Sequence, residues 1–224
     1  IFGGDMVTSV YNTLGADEDM PIEHKFLSKA VEGAQRRVEG RNFSIRKNVL
    51  QYDDVMNQQR ELIYAQRKEV LDGKDISGNI SNMIDSVSEN VVSIYTNVQE
   101  GDDIDTKGLA LQLKTIFGIE NIEGLKNEEL DEAGLIEEVQ EKAHQKYLEK
   151  QQEIGEKEIK ELERVVMLKV VDEKWMDHID NMDELKNGIG LRAYGQKDPV
   201  VQYRIEGSDM FEQMVEDIRT DVVK

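Results

Sequence analysis

The chain has 224 residues, no cysteine and a formal net charge of −19 at pH 7. That length allows one large or two modest domains, and the missing cysteine excludes disulfides, thiolate zinc sites and cysteine nucleophiles. The acidity speaks against nucleic acid as a partner, because phosphate recognition needs a basic footprint.

No apolar run approaches the roughly 20 residues that span a bilayer, and no secretory signal opens the chain, so a soluble, cytoplasmic protein is expected. The start "IFGGDMV" carries no initiator Met, which reads as a fragment or a processed chain. The two prolines are Pro21 and Pro199. Between them nothing forbids helix, and β-branched alternation is rare, so the fold class is all-α.

Residues 1–20 suggest a short helix over "GDMVTSVYNTLG", closed by Gly15, with Asp17, Asp19 and Pro21 as the next helix-start signal. From about Ile22 to Leu71 apolar residues recur at Leu27, Val31, Ala34, Val38, Ile45, Val49, Tyr52, Met56, Ile63 and Val70, with Arg41, Gln59 and Gln66 interrupting the stripe. An unbroken helix here would run about 75 Å at 1.5 Å per residue, a spine shared by several elements. Gly33 and Gly40 weaken it by up to about 1 kcal/mol each relative to Ala, and two helices broken near Gly40–Arg41–Asn42 are the alternative.

"DGKDISGN" breaks the spine. A helix is expected over about 80–98, then an acidic loop, a short helix near 109–117, and a charged helix over about 128–152. This block, Asp72 to Glu163, holds 9 basic against 23 acidic residues, whereas Ile22 to Leu71 holds 10 against 7. Different partners or exposure for the two regions follow. With few aromatics, the acidic block reads as a small satellite of the main core.

Gly155 marks the return into another long helix, about 156–186, with Ile159, Leu162, Val166, Leu168, Val171, Trp175, Ile179, Met182 and Leu185. A last helix over about 200–223 carries Val201, Ile205, Phe211, Met214, Val215 and Ile218. These two should form an antiparallel αα-hairpin. Its loop, "NGIGLRAYGQKDP", contains Gly188-x-Gly190-x-x-Ala193, a loose dinucleotide fingerprint. That motif works only between a strand and a helix, so here it is a decoy, and no G-x-x-x-x-G-K-[ST] occurs.

"DEKWMDHIDNMDE" sets His178 among carboxylates. Asp177, Asp180 and Asp183 do not share its face at the i, i+4 spacing of a zinc helix, so a solvated face is expected. His24, His144 and His178 are scattered without a nucleophile–base pair, and catalysis by this chain alone is not expected. In "RRVEGRNFSIRKNVLQYDDVMNQQR", Arg36, Arg37, Arg41, Arg46 and Lys47 fall within three turns. Arg41 interrupts the apolar stripe itself, which calls for a carboxylate or carbonyl partner on another domain.

Two stretches, "AQRRVEGRNFSIRKNVLQYDDVMNQQR" and "VVMLKVVDEKWMDHIDNMDELKNGIGLRAYGQKDP", resemble the SecA preprotein translocase ATPases, and the resemblance covers nearly the whole chain. It implies that residues 1–21 end a second nucleotide-binding domain. It likewise implies that 22–71 form the long helix of a helical scaffold, 72–155 a helical wing domain, and 156–224 the scaffold's two-helix finger.

The implied activity is a motor that drives unfolded preproteins through the SecYEG channel, peripheral at the inner face of the cell membrane. ATP and Mg would bind in domains this chain lacks, leaving the chain itself without a cofactor or metal. The implied partners are the SecYEG channel, unfolded preprotein, nucleotide-binding domains of the same protein and a possible homodimer. Arg192, Tyr194 and Gln196 would be the finger tip touching channel and preprotein, and Arg41 and Arg46 would couple domains.

The family's tip usually reads "LRGYAQ" and here "LRAYGQ", an exchange that alters backbone freedom around Tyr194. A tyrosine at a hairpin apex suits sequence-tolerant contact with extended polypeptide, giving flat apolar area and one hydrogen bond. A freestanding helical scaffold or chaperone-like module without a motor is the alternative reading.

Overall fold

The computed structural model describes residues 25–73, 75–96, 105–123, 125, 131–190 and 198–224. Every regular element among them is an α-helix: α1 (Lys25–Leu71), α2 (Ser77–Thr96), α3 (Thr106–Phe117), α4 (Glu132–Ile154), α5 (Glu156–Gly188) and α6 (Pro199–Val223). The all-α class expected from the sequence is what the chain adopts. The expected helix within residues 1–20 lies outside the described residues.

The chain divides into two units, residues 1–54 and 55–224. In the first, the described residues belong to α1, which stays helical through Gly33 and Gly40 instead of breaking there. A Cβ at either glycine would meet nothing within 4 Å, so these are open positions on a helix surface. Residues 35–50 are exposed throughout, Val38, Ile45 and Val49 among them.

In the second unit the helix ends follow local chemistry. α1 stops at Gly73, whose φ of 75° suits glycine. α2 begins three residues earlier than periodicity suggests, because the Asp75 carboxylate accepts from the Ser77 N–H at 3.0 Å and the Ser77 hydroxyl at 2.6 Å. Those bonds, together with Lys160, hold the Asp75 carboxyl down at about 2. Asp105 caps α3, and left-handed Gly118 closes it with an N–H to the Lys114 carbonyl. Gly155, at φ 99° and ψ 150°, is the single residue between α4 and α5. Asp198 caps α6 through the N–H groups of Val200 and Val201, with Pro199 in the first turn.

α2 lies against α3, α4 and α6, and α5 packs along α6. Met182 meets Gly207, His178 meets Phe211, and Lys174 pairs with Asp221 at 2.7 Å, so residue numbers fall on one helix as they rise on the other. That is the expected antiparallel hairpin.

The acidic block is not peripheral to the packing. Its Val92, Leu109, Leu113 and Val139 are fully enclosed, and they belong to one apolar core with Ile63, Val70, Trp175, Met214 and Ile218. Negative charge on the outer faces of α2–α4 leaves their inner stripes free to join that core.

Candidate three-helix junction

Three residues that carry no apolar signal meet where α1, α5 and α6 converge. Gln59 of α1 and His178 of α5 are 6% and 3% exposed. Gln59 Nε2 donates to the Gly207 carbonyl of α6 at 2.9 Å. Its Oε1 lies 2.9 Å from His178 Nε2.

The carbonyl can only accept, which fixes the orientation of the amide. Oε1 must then accept in turn, so His178 carries its proton on Nε2. Burial pushes the His178 pKa below its ordinary value, favouring the neutral ring. Trp175 lies 5.6 Å from the imidazole centroid and Phe211, edge-on, 5.7 Å. His178 therefore sits in an aromatic and amide setting, and the solvated face expected for it is corrected.

Gly207 supplies the space. A Cβ there would stand 2.6 Å from Met182 Cε, so the methionine tip occupies the space that the missing side chain leaves and would have to move aside for one. This also corrects the α6 face. Val201 and Ile205 are exposed, and the buried positions are Val200, Tyr203, Gly207, Met214 and Ile218.

Along α5 the buried positions are Ile159, Glu163, Met167, Val171, Trp175, His178 and Met182, in steps of four and three. His178 keeps that beat. The sequence signal was present but hidden by counting only apolar residues.

Two further polar contacts stitch the helices together. Arg67 donates from Nε and Nη2 to the two Asp172 carboxylate oxygens at 2.8 and 3.0 Å, joining α1 to α5. The guanidinium holds Asp172 below the usual carboxylate range. Exposure and solvent screening keep such a pair weak. Between α4 and α5, the Tyr147 hydroxyl donates to Glu163 Oε1 at 2.6 Å, and burial followed by the carboxylate drives the phenol pKa up.

The residues singled out from sequence lie elsewhere. Arg41 and Arg46 are exposed on α1 in the first unit. Around Arg41 the stripe is exposed, with Val38 at 45% and Ile45 at 52%, so among the described residues of that unit no apolar seam encloses the charge. Arg36 of the same run pairs locally with Glu32 at 2.6 Å, one turn earlier. Arg192, Tyr194 and Gln196 lie outside the described residues.

The family model for the SecA wing and scaffold domain matches residues 21–224. The chain belongs to this SecA family. Over its whole length it is 46% identical to the protein translocase subunit SecA 1 of Clostridioides difficile strain 630, covering 25% of that relative. It is 47% identical to the SecA translocase subunit of Pelotomaculum thermopropionicum and 49% identical to that of Caldicellulosiruptor saccharolyticus, again along its full length and over 26% of each. The chain thus spans about a quarter of the SecA relatives it matches. Among the described residues, no helix is long and apolar enough to cross a membrane.

Proposed function

We propose that this chain is the mechanical part of a preprotein-translocating ATPase, which turns nucleotide-driven motion elsewhere in the motor into movement of unfolded polypeptide. The observation that carries the reading is the match to the SecA wing and scaffold family over residues 21–224. The junction supports it, because a lever must hold its arms together, and here one amide bonds a long helix to both helices of a hairpin.

Within this reading α1 is the scaffold helix, α5 and α6 are the two-helix finger, and α2–α4 belong to the wing. ATP and Mg bind in the portion of the relatives beyond this chain. The motor works at the cytoplasmic face of the membrane, with the SecYEG channel and unfolded preprotein as partners. Arg192, Tyr194 and Gln196 form the tip that meets the moving chain. Arg41 and Arg46, exposed on α1, face the nucleotide-binding domains.

The test adds this chain to the separately made N-terminal portion of the motor. Stimulated ATP turnover and recovered transport into channel-bearing vesicles are expected. Unchanged turnover and transport, with both parts folded, would overturn the reading.

A further inference from the structure

We propose that Gln59 is a positioning residue that sets the axial register of residues 55–71 of α1 against the α5–α6 hairpin, making that stretch and the hairpin a single rigid lever. The inference rests on the motor reading and adds to it where motion does not occur.

One turn to either side of Gln59 on α1 stand Val55 and Ile63, both buried and apolar. A one-turn slip of about 5.4 Å would bring one of them opposite His178. The imidazole N–H and the Gln59 amide would then both be buried without partners. An apolar ridge can settle into successive grooves of its neighbour, but this bridge closes in one register only.

Gly207 adds a steric half to the same lock. It forms a notch that admits Met182, and one turn away on α6 stand Tyr203 and Phe211. Sliding α6 would drive a ring into the space that the glycine leaves. The bridge fixes α1 against the hairpin and the notch fixes α5 against α6, so mechanical displacement passes through the junction and is not absorbed in it.

The chain has no cysteine, so spin labels can be placed at will. Labels at Leu71→Cys and Met176→Cys, both exposed and offset along the helix axes, report axial slip. One narrow distance is expected with Gln59 present. Gln59→Leu should add a second population displaced by up to about 5 Å. Gln59→Asn, which is too short to keep both bonds, serves as the milder variant. A single unchanged distance in both folded variants would overturn the lock.

The second arm uses the longer motor, free of other cysteines, with a short bis-maleimide joining Arg67→Cys to Asp172→Cys. The linked motor should keep at least half of the unlinked transport rate. Gln59→Leu should lower the polypeptide moved per ATP about threefold or more at temperatures where it stays folded, and the link should restore it. Arrest of transport by the link alone would overturn the lock and leave the motor reading standing. An unlinked native motor that moves no polypeptide would overturn both.

Discussion

Replacing Gln59 by Leu tests the junction in the isolated chain, and the structure supplies the magnitudes. The substitution removes one donor and one acceptor of similar bulk. The Gly207 carbonyl lies inside α6 and keeps its helical N–H from residue 211, so it loses only an extra bond. The His178 N–H has no such reserve, and an unsatisfied buried donor costs about 1–3 kcal/mol. His178→Phe does the reverse, orphaning Gln59 Oε1 at a similar cost.

In the double variant both orphans disappear together and an apolar pair remains, so its loss should be smaller than the sum by both orphan costs, about 2–6 kcal/mol. Urea titration of the four proteins closes the cycle. Thermal melts should follow at about 2–4 °C per kcal/mol for a unit of this size. Single losses that add within about 0.5 kcal/mol would refute the idea that the two side chains satisfy each other.

The depressed pKa of His178 means the unfolded chain binds more protons, so stability should be fully present above about pH 6.5 and fall as the pH drops toward the folded-state value. His178→Phe should lack that part of the slope, and equal slopes in the two proteins would count against a buried neutral ring. Gly155→Ala should cost about 1–3 kcal/mol by urea titration, because φ is 99° and the new Cβ would lie 3.1 Å from Glu158 Oε2. Gly40→Ala meets open space on a helix and should raise helicity, a gain of up to about 1 kcal/mol. Tyr194→Ala should leave the chain's stability within about 0.5 kcal/mol yet slow polypeptide transport by the longer motor, with Tyr194→Phe or Trp retaining more. Calorimetry should find no saturable micromolar ATP binding to the isolated chain, which lacks a phosphate loop and is strongly acidic.

Helix ends were legible in part, since periodicity places the starts of α2 and α3 about three residues late, where Asp75 and Asp105 decide the boundary. Asp198 before Pro199, Gly118 and Gly155 each announce a boundary through a side-chain acceptor or a φ that other residues avoid. The hairpin followed from two long periodic segments around a glycine-bearing loop.

The junction was not legible, for a physical reason shared by all its members. Gln59 looked like a gap in a stripe, His178 like a solvated charge, and Gly207 like nothing at all. Hydrophobic periodicity records apolar burial, whereas these three are buried by mutual satisfaction or by the absence of a side chain. The face of α6 slipped for the same reason, since its central buried position is a glycine and Val201 and Ile205 took its place in the count. Arg41 lies on an exposed stretch of α1, which leaves its side chain open to the partner domain proposed for it.

The one-residue joint at Gly155 restricts how this architecture can change length. With no loop between α4 and α5, a residue inserted ahead of the glycine has no slack to enter, and it turns α4 by about 100° about its own axis. Leu135, Val139 and Ala143, which now face the core, would swing toward water. A second inserted residue would add as much again, and only three or four together would return the stripe near its place. Length variation in this part of the chain is therefore expected in steps of whole helical turns.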